Sequence, residues 1–443
     1  MPDAWSAAAP SYATPLMPDW WQAFGSEELA GLIAAALRES PDLGIAAERV
    51  RQAEALLQIA GASLFPKLDL GAATAKSGDR PRGGATETAK STDLTLIASY
   101  ELDLWGKNAS IKRSADASLQ VSRFDYETAQ LTLAAGVATA YYQTLSLRAR
   151  LAIARETVAI AERVLAVVSS RARNGAASQL DVARQETALL QARANIPPLE
   201  LAERQTLNAL AVLVGRPPEG FDVAGPSIVE LPVPGVEPGL PAEVLVRRPD
   251  VASAEAQLAA ANADLAAARA ALLPSIKLTG STGYASKALL SFGGSTSFAY
   301  TIAGSLLQPI FDGGTRRGQV DFAAAREREL VESYRRSILA ALTDVENALV
   351  AANRTAAQEE LQNRARDGAE RTLRLAEIRY REGVDDLLSV LDAQRTFFQT
   401  QDSLAQIRLA RLQASIGLYR ALGGGWKIPA QLREQVSPPP RRG

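Results

Sequence analysis

Residues 41–70 read PDLGIAAERVRQAEALLQIAGASLFPKLDL, and residues 249–278 read PDVASAEAQLAAANADLAAARAALLPSIKL. Both stretches change from a helical spacing of apolar residues to a two-fold alternation, at Pro66 in the first and Pro274 in the second. The two stretches are offset by 208 residues, and this offset also aligns Arg171, Gly175 and Gly215 with Arg379, Gly383 and Gly423. The chain therefore contains one supersecondary unit twice, and this unit is far longer than a solenoid repeat.

The duplication divides the chain into five parts. In order, these are an N-terminal extended segment (1–25), a first repeat (26–215), a Pro- and Gly-rich connector (216–241), a second repeat (242–423) and a C-terminal tail (424–443). We expect Trp20, Trp21 and Trp426 to be structural anchors where the chain ends pack against the connector.

Each repeat contains one pair of predicted β-strands. Alternation of apolar and polar residues predicts these strands at about 66–75, 92–104, 274–285 and 296–311. About ten residues is the length of a tilted strand that crosses a bilayer, although a single amphipathic hairpin also packs well on a soluble core. Aromatic residues near the strand ends are expected either to form an interfacial girdle or to pack within the hairpins: Tyr100, Tyr284, Phe292, Phe298 and Tyr300.

Long helices follow each predicted hairpin. Their composition and the scarcity of proline predict helices at 106–173, 177–214, 318–381 and 385–422. The first would be about 100 Å long if it is continuous. Pro197 and Pro198 should kink the second because they lack an amide hydrogen. A shorter helix precedes each hairpin, and in the first repeat Pro41 either starts a second helix or breaks one.

Composition excludes several kinds of chemistry. The 443-residue chain has a net charge of −1, no histidine and no cysteine. A global electrostatic attraction to nucleic acid, imidazole catalysis and thiol chemistry are therefore excluded. No phosphate-binding loop, dinucleotide fingerprint or nucleophile elbow occurs in the sequence, so we predict no enzyme activity, cofactor or metal site.

Two pairs of strands cannot close a membrane barrel by themselves. The smallest known barrels have about eight strands, and an open sheet in lipid leaves its edge amides unpaired. Strands in a membrane would therefore require several copies of the chain, as a dimer, trimer or tetramer. Long alanine-rich helices also need neighbours to bury their surface, and together these features indicate a conduit.

Several motifs of this chain resemble those of the outer-membrane efflux factors, a TolC-like family. They are LVRRPDV at 245–251, YELDLWGK at 100–107, PIFDGG at 309–314, VLDAQR at 390–395 and LYRALGGGW at 418–426. The resemblance covers about residues 15–427 and is strongest to the NodT or OprM lipoprotein branch, which serves resistance–nodulation–division pumps. It implies an α+β membrane protein whose homotrimer forms a 12-stranded outer-membrane β-barrel. A periplasmic barrel of twelve helices would continue this β-barrel.

Members of that branch usually start at a lipidated cysteine, followed by a segment similar to Pro2-Asp3-Ala4-Trp5. This sequence has neither a cysteine nor a signal peptide. Either a leader and its cysteine have been replaced, which we expect, or this chain is not lipidated. The barrel and tunnel do not depend on the lipid.

The resemblance also implies a gate at the periplasmic tip, where acidic and aromatic residues close the tunnel. Asp181, Tyr380 and Asp392 match the positions of the family motif, whereas Ser389, the repeat mate of Asp181, replaces an aspartate found in some members. The candidate gate residues are Asp181, Arg379, Tyr380, Arg381, Asp385 and Asp392. Alternatively, these charges are only solvated turn residues and helix caps.

The resulting hypothesis is a passive outer-membrane channel of a tripartite efflux pump that exports small molecules. It would work with a periplasmic membrane-fusion adaptor, an inner-membrane resistance–nodulation–division pump and outer-membrane lipid. A duct for protein secretion is an alternative within this class, and a soluble helical scaffold is the alternative outside it. With two methionines and no histidine, dedicated transport of copper or silver is disfavoured.

Overall fold

A computed structural model describes residues 4–6, 13–14, 16–79, 83, 87–286 and 297–426. The helices are a 3-10 helix (Trp20–Phe24), α1 (Glu27–Glu39), α2 (Pro41–Ala62), α3 (Lys107–Arg173), α4 (Gln179–Ala194), α5 (Ile196–Val214), α6 (Pro241–Arg247), α7 (Pro249–Ala270), α8 (Thr315–Arg381) and α9 (Leu387–Ala421). The strands are β1 (Ala13–Thr14), β2 (Lys67–Asp79), β3 (Glu87–Leu102), β4 (Gly235–Val236), β5 (Ser275–Ser286) and β6 (Ser297–Leu307). The motif residues Pro2 and Asp3, the girdle candidate Phe292 and the tail residues 427–443 lie outside the described residues.

The chain forms two compact units, each assembled from both repeats. One consists of Met1–Ala47, Phe124–Ala252 and Ser337–Gly443, and the other of Glu48–Arg123 and Ser253–Arg336. The first unit contains the aromatic core and the turns that follow α3 and α8. The second contains the large sheet. The predicted fold class, with four strands and long helices from a tandem duplication, is confirmed.

The large sheet is antiparallel, with the strand order β2-β3-β5-β6. Each repeat contributes one hairpin, and β3 pairs with β5 to join the two hairpins. β6 ends at Leu307 instead of 311, because Pro309 cannot donate a hydrogen bond to a ladder. β3 ends at Leu102 instead of 104. There the Asp103 carboxylate accepts hydrogen bonds from the amides that begin α3, including that of Ala109 at 2.7 Å.

Helix boundaries also differ from the predictions in ways that local chemistry explains. α8 starts at Thr315, before the predicted 318, because the Asp312 carboxylate accepts from the Gly314 amide at 3.0 Å and caps the helix. The helix predicted at 177–214 is two helices that meet at Asn195, since the two prolines that follow interrupt the hydrogen-bond ladder. Pro41 starts α2. Within the described part of the chain, no helix has both the length and the apolarity needed to cross a membrane.

The N-terminal segment is less extended than predicted. It forms a 3-10 helix whose Trp20 and Phe24 are buried in the main core. Trp20 stacks on Tyr419 with ring centroids 5.4 Å apart, and Trp426 packs edge-on against Phe124 at 5.7 Å. Upstream, β1 pairs in parallel with β4 of the connector. These contacts hold the described chain ends against the connector region and the helices.

A close backbone approach occurs at matching positions of the two repeats. Gly215 has φ +78°, and a Cβ there would overlap the carbonyl oxygen of Glu39. Gly423 has φ +86°, and a Cβ there would overlap the carbonyl oxygen of Arg247. In each repeat, glycine at this position lets the end of the last helix pass directly over the end of the first.

Candidate functional site

The register of the large sheet separates an apolar face from a polar one. Residues directly opposite each other on paired strands share a face, and the row Leu70, Leu96, Thr282 and Tyr300 is typical of the apolar face. That face contains Leu68, Leu70, Leu94, Leu96, Ala98, Leu102, Ile276, Leu278, Tyr284, Phe298, Tyr300, Ile302 and Leu306. The opposite face contains Lys67, Asp69, Thr95, Ser99, Glu101, Lys277, Thr279, Ser281, Thr301 and Ser305. Alternation of this kind is that of a membrane strand with a wet lumen side.

Three girdle candidates lie together at one end of the apolar face. The Tyr284 and Phe298 rings are 5.4 Å apart, and the Phe298 and Tyr300 rings are 6.4 Å apart. All three side chains are exposed. Tyr100 is on the same face, but it lies toward the other end, opposite Leu278. The aromatic girdle therefore stays a prediction, with its members divided between the two ends of the sheet.

The sheet has two open edges. β2 and β6 are its terminal strands, and among the described residues neither pairs with a further strand on its outer side. An open edge is a template for another strand, and in lipid its amides would be left without partners. Because the apolar face runs up to both edges, the sheet is incomplete as a membrane structure.

The candidate gate residues lie at two turns with the same backbone design. After α3, the Ala176 amide donates to the Arg171 carbonyl at 2.8 Å, and Gly175 has φ +72°. After α8, the Val384 amide donates to the Arg379 carbonyl at 2.9 Å, and Gly383 has φ +77°. These are Schellman turns, which end a helix with a left-handed residue, usually glycine. We call this pair of turns, together with the first turn of α4 and the first three turns of α9, the tip.

Three of the candidate acids already have partners within the tip. Asp181 forms a capping box with Ser178 at the start of α4, Asp385 pairs with Arg379 at 3.2 Å, and Asp392 pairs with Arg395 at 2.6 Å. The Ser178 hydroxyl and amide lower the pKa of Asp181. Hydrogen bonds from the Asp386 amide and the Ser389 hydroxyl, with a smaller effect of Arg379, lower the pKa of Asp385. Both residues are half-exposed, so each contact contributes little to stability by itself.

Tyr380 is the buried member of the candidate set, with 7% of its surface exposed. It belongs to an apolar cluster that includes Val168, Leu387 and Val390. Burial raises the pKa of its hydroxyl, with Arg171 opposing this effect and Asp181 adding to it. Its Oη is buried and has no hydrogen-bond partner among the described residues.

The contact that sequence reasoning missed joins Arg171 to Tyr380. Arg171 Nη1 donates to the Tyr380 carbonyl oxygen at 2.5 Å, and the guanidinium carbon lies 4.7 Å from the centroid of the Tyr380 ring. The sequence indicates Arg171 only as a turn residue at the end of a helix. Arg171 aligns with Arg379 between the two repeats, and this alignment could have drawn attention to it. The alignment does not, however, predict a contact between Arg171 and a residue of the other repeat.

Arg381 has no ion pair within the described ranges, and its side chain is exposed. The tip thus contains a set of contacts formed inside one chain and two unused groups, the Arg381 guanidinium and the Tyr380 hydroxyl. In the same part of the structure, residues of α4 and α9 line a groove of about 690 Å³. Nowhere in the described residues do three or more Asp or Glu side chains cluster as metal ligands would.

The lowered pKa of Asp181 predicts a specific response to acid. A carboxylate with a lowered pKa in the folded state stabilises it fully above the ordinary pKa of about 4, and the contribution is lost as the pH falls through the folded value. At pH 7, Asp181→Asn should therefore lower stability by up to about 1 kcal/mol. The difference in melting temperature from the unmodified chain should be smaller at pH 3 than at pH 7. A difference that is the same at both pH values would contradict this role of the charge.

The sequence matches a known family model and several known proteins. The family model described as outer membrane efflux protein matches residues 32–216 and 240–424. The chain is 42% identical over 421 residues to the pyoverdine export outer membrane protein OpmQ of Pseudomonas aeruginosa, covering 93% of this chain and 88% of OpmQ. It is 34% identical over 426 residues to the toluene efflux pump outer membrane protein TtgI of Pseudomonas putida, covering 94% and 89% of the two chains.

A solved structure resembles the fold over nearly its whole length. It is the open state of the MtrE outer membrane channel of Neisseria gonorrhoeae, with a TM-score of 0.87 and 30% identity. The match covers 96% of both chains.

Proposed function

The chain belongs to the outer membrane efflux protein family, whose members are channels rather than enzymes, and from this premise we propose how it forms its duct and closes it. It is an outer-membrane efflux channel with a long periplasmic helical part. In our proposal the chain catalyses no reaction. Export would be driven by an inner-membrane pump of the resistance–nodulation–division type, through a periplasmic adaptor that opens the channel.

The open edges of the sheet call for further copies of the chain, and we propose the homotrimer that the resemblance implies. Pairing of β6 from one copy with β2 of the next satisfies both edges, and three copies of the four-stranded sheet make a barrel of twelve strands. That number is within the range of about 8–26 found for bacterial barrels. The apolar face would then meet outer-membrane lipid all round, while the polar face lines the duct.

The state of the purified protein tests this assembly. We expect a trimer by mass measurement in detergent micelles, and discrete conductance steps when it is added to planar lipid bilayers. A monodisperse monomer that stays dissolved in water without detergent would refute the channel and favour a soluble helical scaffold instead.

We propose small molecules as the cargo. The names of two relatives specify pyoverdine and toluene, which share a small size rather than a common chemistry. A passive duct needs no tight binding site for its cargo, and the wet polar face of the sheet suits this role. The groove at α4 and α9 would offer the adaptor a surface close to the tip.

We further propose that the tip is the gate, and that it closes through contacts between copies as well as within them. Asp181, Asp385 and Asp392 already have partners inside one chain. The Arg381 guanidinium has no such partner among the described residues and is exposed, so it is available to a neighbouring copy. The Tyr380 hydroxyl also has no partner there, but it is buried in its own chain and would reach another copy only if the turn moved. Half-exposed contacts worth about 0.2–1 kcal/mol each are weak enough to break and, repeated in three copies, sufficient to bias the gate.

Removing both unused groups should open the channel. We expect Tyr380→Phe combined with Arg381→Ser to raise the single-channel conductance in planar bilayers while the trimer stays intact. Higher salt should partly mimic these mutations once bulk conductivity is allowed for, because it screens exposed charges. Arg364→Ser is the control, since it removes an exposed arginine from the same helix far from the turn. An intact trimer with unchanged conductance in both tests would leave these residues as turn residues only.

A further inference from the structure

We propose that Arg171 is a positioning residue of the gate. It fastens the turn after α8 to the end of α3, so that the tip of each copy opens only after this contact is released. We call the contact between Arg171 and Tyr380 the clasp. The inference rests on the proposed gate at the tip and adds to it a residue that holds the closed arrangement within a single chain.

In the clasp, Arg171 contacts both the backbone carbonyl and the aromatic ring of Tyr380. The Arg171 guanidinium donates to its carbonyl oxygen at 2.5 Å and lies over its ring at 4.7 Å. That carbonyl also accepts from the Gly383 amide at 3.0 Å, so the arginine binds directly to the Schellman turn. A charged donor makes a stronger hydrogen bond than a neutral one. Movement of this turn away from α3 must break both interactions at once.

The two turns share a backbone design, but the repeat-related counterpart of the clasp, from Arg379 to the turn after α3, does not form among the described residues. Arg379, the repeat mate of Arg171, pairs with Asp385 of its own turn. The mate of Tyr380 is Ala172, which has no ring to receive a guanidinium. The first turn is therefore the fixed support, and the second turn is the part that the clasp holds and can release.

The surroundings of the clasp separate it from the other charged contacts of the tip. Tyr380 is buried in an apolar cluster with Leu387 and Val390, and Arg171 has no carboxylate partner in the described part of the chain. Its Nε is also buried without a hydrogen-bond partner. Salt screens exposed ion pairs far more than buried contacts. The clasp should therefore resist high salt, whereas the exposed Arg379–Asp385 pair should weaken.

A cysteine reporter can detect release directly, because the sequence contains no other cysteine. Leu387 is 3% exposed in the cluster beneath the clasp, so Leu387→Cys should react slowly with a maleimide in the closed trimer. In that background, Arg171→Gln removes the charge and the planar fork. We expect labelling at least about tenfold faster, from loss of a charge-assisted hydrogen bond, together with a higher single-channel conductance.

Two further variants provide the comparison. Arg171→Lys keeps the charge but not the planar fork, so labelling should fall between those of the unmodified and Gln forms. If the Gln variant does not assemble as a trimer, this milder change decides the question with the same two assays. Arg173→Gln is the matched control, because Arg173 is an exposed arginine of the same helix end, and it should change neither readout.

The outcomes distinguish the clasp from the gate. If Arg171→Gln leaves both labelling and conductance unchanged while the Tyr380→Phe and Arg381→Ser variant opens the channel, the gate stands and the clasp is wrong. Tyr380→Phe keeps the ring and the carbonyl, so it does not remove the clasp. If Arg171→Gln speeds labelling but conductance stays the same, the contact holds the turn but the turn does not gate the duct. The clasp as proposed requires labelling and conductance to rise together in the Arg171→Gln variant.

Discussion

Replacing Leu96 with arginine should destabilise the protein folded in a bilayer by about 2–4 kcal/mol, the cost of an arginine on the lipid face near the midplane. Leu96 lies on the apolar face, one row from the middle row of Ala98 and Gly280. The guanidinium there would have to leave water for lipid. Thr95→Arg should cost far less, because the adjacent residue of the strand points to the polar face, where water replaces lipid.

Leu278 and Thr279 repeat this comparison on β5. Leu278 lies one row from the middle on the other side, so Leu278→Arg should be about as costly as the change at Leu96, and Thr279→Arg should again be mild. The measurement is denaturant-dependent folding into lipid vesicles, with each leucine variant compared with its threonine neighbour. Equal tolerance on the two faces would refute the lipid-facing assignment.

Gly423→Ala is the second change for which we expect a large effect. The left-handed backbone costs a residue with a Cβ about 1–2 kcal/mol, and forcing an atom into a packed site typically costs a further ~1–3 kcal/mol. Here the obstacle is the backbone carbonyl of Arg247, which cannot move aside as a flexible side chain would. Gly215→Ala should behave alike, because it meets the carbonyl of Glu39.

Gly175→Ala is the matched control for these two variants. Its φ is also positive, at +72°, but a Cβ there would have no neighbour within 4 Å. It should therefore show the backbone cost alone. The melting temperature of the trimer should fall clearly more for Gly423→Ala and Gly215→Ala than for Gly175→Ala. Equal losses at all three positions would mean that the close approach to the carbonyls has no energetic role.

The fold was predictable because its signals are periodic and local. The change of period at Pro66 and Pro274 separates helix from strand, and alternation alone assigned Leu96 and Thr95 to opposite faces before any register was known. The ends of the elements were less predictable, because they depend on single side chains. Asp312 extends α8 toward its N-terminus, and Pro309 ends β6 early. Pro309 is visible in the sequence, and its lack of an amide hydrogen could have been used to predict the earlier end of β6.

The tip was only partly predictable for a different reason. The motif indicated Asp181, Tyr380 and Asp392, and these residues do lie at the two turns, but their role as a gate stays a prediction. The capping function of Asp181 was among the alternatives, and the structure shows this contact. The bond from Arg171 to Tyr380 was not predictable from spacing, because it joins turns of different repeats, and periodicity describes only one element at a time.

The pairing of β3 with β5 has a consequence for the order of folding. The hairpins β2–β3 and β5–β6 can form soon after their own residues are synthesised, because their pairing is local. The junction aligns Thr92 with Ser286, so the strands of the first repeat must wait until almost the whole intervening chain exists. Such non-local pairing is slow, since the entropy of closing the loop is lost before the contact forms. During this delay the apolar hairpins are exposed to water, and folding of this chain should depend on protection from aggregation at that stage.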